Sequence, residues 1–299
     1  MLDDSPYLTK TDEDVEMQKI PSDIAVGSDL EMFLFDNEAA RVVPCVGILE
    51  GTKDKPFQPK GYGKGFAIQE DNVMVEFNIP PQTNVDGFIN AISKGRNMVL
   101  KELHNRHGSK YSVYTAKHVN RFRGVELTSQ QAQTIGCEGD FDAYEGGKMR
   151  VDPPAPGLDR SCGGHVHIGG DFRCPDFVAA LFAELFIGVR AQLWIDAKDL
   201  RAKWYGKPGI YRPKPYGIEY RTPHNGWVND SYQMQRVGDG ALRCARYLTT
   251  TDAVSLQASF RKVPWLMVRD LMREGATTDL GQELWHKVVG EAKRAGVPV

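Results

Sequence analysis

The sequence predicts an α+β protein that consists of one domain. Strand-like segments alternate with long helical segments, but the strict strand–helix–strand repeat of a parallel α/β fold is missing. No linker divides the chain, which indicates a single domain over residues 23–299. The 299 residues are enough for one large domain or two ordinary ones.

The composition is typical of a soluble protein, with 41% hydrophobic and 25% charged residues. A net charge of −2 gives no reason to expect a nucleic-acid partner. Residues 1–22 are acidic and polar, which predicts a flexible N-terminal arm and not a signal peptide. Glu184 and Arg190 interrupt the most apolar segment, so it predicts a buried helix and not a membrane span. Five scattered cysteines indicate reduced thiols and a cytoplasmic protein.

The first half of the chain predicts two strands and one long helix. IAVGSDLEMFLF, from Ile24, predicts a strand that ends at an Asp-Asn turn signal. A loop rich in Gly, Lys and Pro follows at residues 51–65, and AIQEDNVMVEFNIPP then predicts a second strand that a Pro-Pro pair stops. Asn84 predicts the N-terminal cap of a helix over residues 85–106. The apolar residues of this helix are Phe88, Ile92, Val99 and Leu103.

The second half of the chain predicts three strands, a long loop and three helices. The strand segments are SKYSVYTAKHVNRF, VHIGGDF and YGIEYRTP, the last of which follows a basic loop. Residues 136–161 are rich in Gly, Asp and Pro and predict a long ordered loop. The helices run from Asp176 to about residue 200, near 230–250 and near 279–295.

Four predicted strands carry polar side chains at alternate positions. A strand sends alternate side chains to one face of its sheet, so the members of each set share a face. Solvent exposure explains any one such pattern, but the neighbouring glycines indicate close approach of a ligand or of backbone. The sets are Asp29 and Glu31 with Gly27, then Asn72, Glu76 and Asn78, then His165 and His167, and finally Glu219 and Arg221.

These side chains predict metal and phosphate chemistry. Carboxylates outnumber histidines, which favours magnesium or manganese, whereas two or three imidazoles with one carboxylate would indicate zinc or iron. Arg221 fits a charge clamp on a phosphoryl group because it lies two residues from Glu219 on the same face. No P-loop or Rossmann fingerprint is found. The preceding loop, either a solvated surface or a nucleotide-phosphate cradle, adds Arg201, Lys203, Lys207, Arg212 and Lys214.

The sequence resembles the glutamine-synthetase-like amidoligases, and in particular the phage-associated type 2 carboxylate–amine ligases. The resemblance runs from about residue 24 to 230 and depends on the order and spacing of several motifs. Aspartate stands at position 29, where the family usually has glutamate, and its shorter side chain predicts an indirect metal contact. The main motifs are G-x-D-x-E at 27–31, DNVMVEFN at 71–78, GGHVHIGG at 163–170 and YGIEYRTPHNGW at 216–227. GCEGDFDAY at 136–144 and YGKPGIYRPKPYGIEYR at 205–221 also resemble that group.

The resemblance implies a curved, mainly antiparallel sheet with helices packed on its outer face and a funnel-shaped site on the inner face. It also implies ATP-dependent amide formation through an acyl phosphate, with Mg²⁺ or Mn²⁺ as cofactor. The partners are then a carboxylate substrate and an amine substrate, such as a peptide or protein terminus or a small metabolite. The implied location is the cytoplasm, that of the host if a phage encodes the protein, and an oligomer remains an open alternative.

The resemblance also implies roles for the polar residues. The implied metal ligands are Glu31, Glu76, Glu219 and Asp29. The implied catalytic residues are Arg221, Glu76 and His165. The implied nucleotide- or substrate-binding residues are His167, Arg212, Lys214, Lys203, Arg201, Asn72 and Asn78.

Three other functions stay open. A phosphotransferase of the same architecture would release a stable phosphorylated compound in place of an amide. A metal-dependent hydrolase would use His165 and His167 with a carboxylate and would act without ATP. A non-catalytic phage structural or binding protein would turn over no nucleotide.

Overall fold

The computed structural model describes residues 24–115, 119–133, 140–149, 157–192, 206–275 and 277–299. It is an α+β structure in which every pairing between its strands is antiparallel, which confirms the α+β class and the antiparallel sheet. The four cysteines in these ranges are buried thiols without a disulfide bond. The predicted N-terminal arm, residues 1–22, lies outside the described residues.

Ten of the described strands form one sheet. The strands are β1 Ala25–Asp36, β2 Arg41–Val43, β3 Ala67–Asp71, β4 Met74–Asn78, β5 Tyr111–Tyr114, β6 Val119–Arg121, β7 Phe141–Asp142, β8 Lys148–Met149, β9 Asp159–Ser161, β10 Gly164–Gly169, β11 Ile210–Lys214 and β12 Gly217–Tyr220. The sheet order is β3-β4-β1-β10-β12-β11-β7-β8, and β2 and β5 also pair with β1. β6 and β9 form a separate two-stranded sheet.

The helices follow the predicted positions and add three that the sequence did not predict. They are α1 Val85–His107, α2 Gln130–Gln133, α3 Asp176–Ala183, α4 Val189–Gln192, α5 Ser231–Thr250, α6 Ala253–Lys262, α7 Trp265–Glu274 and α8 Asp279–Arg294. A π-helical segment, Glu184–Gly188, joins α3 to α4. The unpredicted helices are α2, α6 and α7.

Helix α1 begins where the capping pattern predicts. The Asn84 side chain accepts a hydrogen bond from the Gly87 N–H at 2.8 Å, which satisfies one of the donors left open at a helix start. The four predicted apolar residues of α1 are buried. Phe88 stacks on Trp227 with ring centroids 5.9 Å apart, so the predicted apolar stripe joins α1 to the segment after β12.

The sheet has one apolar face and one polar face. Leu30, Val166, Ile168 and Ile218 are fully buried and belong to the same core cluster as the inward side chains of α1, α3 and α5. Burial of this much apolar surface holds the helices on the sheet. The alternate residues of the same strands line a cavity.

The predicted second strand is a hairpin, which corrects one prediction. β3 and β4 are joined by the two residues Asn72 and Val73, and Asn72 has a left-handed φ of 54° that asparagine tolerates better than most residues. The chain therefore reverses at Asn72, and the prediction that Asn72 shares a strand face with Glu76 and Asn78 is wrong. In its place Gln69 lies directly opposite Glu76.

Three further segments differ from their predicted form. The segment SKYSVYTAKHVNRF contains two strands, because β5 pairs with β1 while β6 pairs with β9. The described part of the predicted loop 136–161 contains β7, β8 and β9. The second half of the predicted basic loop is β11, because its basic residues face a carboxylate of β12 and not solvent.

Glycines beside β10 allow close approach of protein groups. A Cβ at Gly164 would lie 2.4 Å from Trp227 Nε1 and 2.6 Å from the His224 carbonyl oxygen. A Cβ at Gly163 would lie 2.2 Å from His165 Nε2. Of the two alternatives that the sequence left open, close approach of the protein's own groups accounts for this glycine pair.

We expect Gly164→Ala to lower the free energy of unfolding by about 1–3 kcal/mol, because the new methyl group has no space beside Trp227. Chemical denaturation of the purified variant measures this. Gly290→Ala is the matched control, because a Cβ there meets only the end of Arg294 at 3.8 Å in α8. That control should be stabilised by up to about 1 kcal/mol through helix propensity. Equal effects of the two substitutions would contradict the packing argument.

Candidate functional site

The antiparallel register brings polar residues of six strands into three rows across the sheet. Cross-strand partners on one face lie close together, so each row is a set of neighbouring side chains. Residues that are far apart in sequence therefore meet without any loop contributing to the rows. The rows are Gln69–Glu76–Glu31, Asn78–Asp29–His165 and Gly27–His167–Glu219–Arg212.

A cavity of about 780 Å³ lies over these rows. This volume is within the range of sites that hold a cofactor or a nucleotide. The loop between β2 and β3 contributes Lys53, Pro56 and Gly65 to its wall. The predicted site residues that line the cavity are Asp29, Glu31, Glu76, Asn78, His165, His167, Arg212, Lys214, Glu219 and Arg221.

Asn72 is a predicted site residue that lies outside the cavity lining. Its side-chain amide donates to the carbonyl oxygens of Gln131 and Ala132, at 3.2 and 3.0 Å. Its side-chain oxygen accepts from Arg160 Nε at 2.8 Å. These contacts tie the β3–β4 turn to α2 and β9, so the location of Asn72 corrects its predicted substrate-binding role. Arg201 and Lys203 lie outside the described residues.

An all-carboxylate cluster forms one part of the cavity. Glu31, Asp71 and Glu76 place carboxylate oxygens within 4.8 Å of one another. Glu31 accepts from the Gly163 N–H at 2.5 Å, and Glu76 accepts from Gln69 Nε2 at 2.9 Å. Burial and the neighbouring carboxylates, Asp29 first among them, raise the pKa of Glu76 well above its ordinary value. Three oxygen ligands in this arrangement fit a hard divalent cation.

Asp71 is the member of this cluster that the sequence analysis missed. Burial and the Glu31 carboxylate raise the pKa of Asp71 to about 6. Asp71 is the last residue of β3 and lies opposite Met74 across the hairpin turn. A turn prediction at the following Asn-Val pair would have placed Asp71 on the same face as Gln69.

A second cluster combines two carboxylates with an imidazole. Asp29, His167 and Glu219 place possible ligand atoms within 4.8 Å of one another, and His167 Nε2 lies 3.1 Å from Asp29 Oδ1. The Tyr216 hydroxyl is hydrogen-bonded to Nδ1 of the same ring. Burial opposes the charged form of His167, but Asp29 outweighs it and raises the pKa of His167.

Asp29 responds to these neighbours in the opposite direction to Glu76. Burial would raise the pKa of Asp29, but His167 and His165 outweigh burial and hold it well below its ordinary value. His165 is buried, and its Nδ1 lies 3.4 Å from Asp29 Oδ1 and 3.6 Å from Glu219 Oε1. His165 therefore lies between the carboxylates of Asp29 and Glu219, which both belong to this second cluster. The predicted indirect metal contact of Asp29 stays a prediction.

Three cations converge on Glu219. Lys214 Nζ lies 2.8 Å from its Oε2, and Arg212 Nη1 lies 3.8 Å from the same oxygen. Arg221 Nη1 forms an ion pair with its other oxygen. Burial opposes ionisation of Glu219, but Arg221 outweighs it, and the pKa of Glu219 falls to about 2. This part of the cavity therefore brings three cations together at Glu219, and cationic side chains of this kind bind phosphate.

Asp140 is a second acidic residue that the sequence analysis did not select. Its Oδ1 lies 3.1 Å from both Arg221 Nε and Arg212 Nη2. It precedes β7, which is next to the edge strand β8 at the opposite end of the sheet from β3. No local pattern in the sequence indicates these contacts, because they span more than one strand of the sheet.

The donor set fits Mg²⁺ or Mn²⁺ better than zinc. Five carboxylates and one imidazole make up the two clusters, and hard oxygen ligands favour magnesium and manganese. Asp29 Oδ1 and Glu219 Oε2 are buried oxygens that form ion pairs with His167 Nε2 at 3.1 Å and with Lys214 Nζ at 2.8 Å, respectively. A cation that binds these oxygens would compete with their basic neighbours.

Comparison with known proteins gives neither a matching family model nor a matching curated protein. The assignment of a function therefore depends on the motifs and on the geometry of the cavity. Across the described residues, every helix is too short or too polar to cross a membrane.

We expect Glu76→Gln to raise the free energy of unfolding of the metal-free protein by roughly 1–3 kcal/mol at pH 8, the scale of an incompletely compensated buried polar group. Because the pKa of Glu76 is raised in the fold, the folded wild type retains a proton that the unfolded chain loses above about pH 4.5. The advantage of the variant should therefore be absent below pH 4.5 and should grow as the pH rises.

Chemical denaturation at several pH values in the presence of a chelator measures this difference. The exposed Glu38 supplies the matched control, Glu38→Gln, which should leave stability unchanged at every pH. Excess Mg²⁺ should reverse the order of wild type and Glu76→Gln, because a cation that binds only the folded state stabilises it. A pH-independent advantage would contradict the role of carboxylate repulsion.

Proposed function

We propose that this protein is an ATP- and Mg²⁺-dependent carboxylate–amine ligase of the glutamine-synthetase-like type. The observation that carries the proposal is one cavity in which two carboxylate clusters adjoin a group of three cations. Carboxylates that hold divalent cations, next to arginine and lysine, are the recurring components of phosphoryl-transfer sites. The choice of amide formation among phosphoryl-transfer reactions rests on the sequence motifs that resemble those of the amidoligases.

The two clusters have separate tasks in the proposed reaction. Glu31, Asp71 and Glu76 would hold one cation, while Glu219, with Asp29 and His167, would hold the second. The bound cations supply positive charge for the nucleotide phosphates. Asp29 and Glu219 form ion pairs in the free protein, with His167 and Arg221 respectively. A cation that binds at this second cluster would therefore compete with these basic residues.

The basic residues act on the transferred phosphoryl group. Arg212 and Lys214 on β11 would bind phosphate oxygens of ATP, and Arg221 would neutralise charge on the group in transit. In the first step an oxygen of the carboxylate substrate bonds to the γ-phosphorus and ADP leaves. In the second step the amine nitrogen bonds to the acyl carbon, phosphate leaves, and the nitrogen loses a proton.

We expect ADP release to require ATP, a divalent cation, a carboxylate and an amine together. The assay measures ADP with a coupled enzyme over panels of amino acids, short peptides and amines, and mass spectrometry identifies a product that equals the two substrates less one water. Mg²⁺ or Mn²⁺ should support the reaction and Zn²⁺ should not. Glu219→Gln should abolish ADP release, because it removes a charged ligand of one cluster.

Three results would overturn this proposal in favour of a different function. A stable phosphorylated product without an amide indicates a phosphotransferase of the same architecture. Zinc-dependent hydrolysis without ATP indicates a hydrolase that uses His165 and His167. Binding of a ligand without any nucleotide turnover indicates a non-catalytic protein.

We expect Arg221→Lys to lower kcat by roughly two to three orders of magnitude, which is the usual cost of losing one preorganised donor. Lysine keeps the charge but cannot reproduce the planar donor set that contacts both Glu219 and Asp140. The KM for ATP should change much less, because the contact strengthens mainly in the transition state.

Steady-state kinetics, with circular dichroism as a check of folding, measures these constants. Arg121→Lys is the matched control, because Arg121 pairs with Asp159 on the surface, where 69% of its side chain is exposed. That variant should retain wild-type kinetics. Equal kcat for Arg221→Lys and wild type would remove Arg221 from the catalytic machinery.

A further inference from the structure

We propose that Asp140 is a positioning residue that shares the guanidinium groups of Arg212 and Arg221 with Glu219, so that Glu219 stays available to a divalent cation. This inference rests on the proposed function, because it takes Glu219 as a metal ligand. Asp140 itself does not line the cavity. It would act only through the two guanidinium groups.

The contacts of Asp140 converge on a single oxygen. Oδ1 accepts a hydrogen bond from Arg212 Nη2 at 3.1 Å and forms an ion pair with Arg221 Nε at 3.1 Å. Asp140 is 8% exposed and Arg221 is 5% exposed, so solvent screens these contacts weakly. The aspartate therefore joins two like-charged groups that repel each other.

Both arginines also contact Glu219 through different nitrogens. Arg212 uses Nη1 for Glu219 and Nη2 for Asp140, and Arg221 uses Nη1 for Glu219 and Nε for Asp140. Each guanidinium is thus shared between Glu219, which lines the cavity, and Asp140, which does not. A fork of several donors makes this division possible, and lysine could not achieve it.

The balance of charge gives Asp140 its effect. Three cations, Arg212, Arg221 and Lys214, face the two carboxylates Glu219 and Asp140. Without Asp140, Glu219 would be the carboxylate of these two that remains to all three cations. A divalent cation would then have to displace stronger ion pairs from Glu219, and its affinity would fall.

The test is a titration of the complete protein with Mn²⁺ in the absence of nucleotide. Electron paramagnetic resonance measures the free Mn²⁺ at each point of the titration. We expect Asp140→Asn to weaken one of two binding events by about 10–100-fold, as for loss of a residue that orients a metal ligand. Asp140→Glu should recover most of the affinity, because it keeps the charge. The control Asp239→Asn removes an aspartate–arginine pair with Arg190 outside the cavity and should change neither event.

A purely structural role for Asp140 predicts a different result in a second background. If Asp140 acts through the arginines, Asp140→Asn should change Mn²⁺ affinity less than twofold when Arg212→Gln and Arg221→Gln are already present. Thermal unfolding shows whether each variant is folded. If Asp140→Asn does not fold, the Mn²⁺ affinity of Asp140→Glu is compared with that of the wild type in both backgrounds.

The outcomes separate this inference from the proposed function. If the wild type binds no Mn²⁺, both fail. If the wild type binds Mn²⁺ and Asp140→Asn binds it equally well, only the role of Asp140 fails. A loss of affinity that persists in the arginine-free background also overturns the role of Asp140, because the effect then does not pass through Arg212 and Arg221.

Discussion

The antiparallel pairing of β1 with β10 is the constraint on which the rest of the site depends. It sets Asp29 opposite His165 and Gly27 opposite His167, and β4 and β12 take their places on either side. A slip of one residue would turn the polar set toward the helices and the apolar set toward the cavity. The fully buried Leu30 and its neighbours on the helix face therefore fix the register by the hydrophobic effect.

The two clusters show that neighbouring charges can either oppose or reinforce the effect of burial on a pKa. Glu219 is as buried as Glu76, yet its pKa is lowered while that of Glu76 is raised. Glu219 faces a guanidinium, whereas Glu76 faces other carboxylates and one neutral amide, Gln69. The cavity thus carries an electrostatic gradient from an acidic end to a basic end. A polyanion with bound cations complements both ends at once.

Local periodicity predicted the polar rows because alternation along a strand is a short-range property. It found Asp29, Glu31, His165 and the other strand residues of the cavity. The same alternation ran through Asn72 and concealed a two-residue turn without glycine, so Asp71 was missed. Asp140 was missed for a different reason, because its partners lie 72 and more residues away and no nearby pattern reports them. The basic strand β11 looked like a loop because its carboxylate partner comes later in the chain.

The site draws its residues from widely separated parts of the chain. Gly163 donates to the Glu31 carboxylate across 132 residues, and Asn225 donates to the Glu31 carbonyl across 194 residues. During synthesis the ribosome must therefore extrude most of the polypeptide before the second cluster, Asp29, His167 and Glu219, has all its members. A nascent chain that has not yet emerged past β12 lacks Glu219 and the strand that carries it. The complete cavity is in this way restricted to chains that extend past β12, and a product truncated before β12 lacks its Glu219 end.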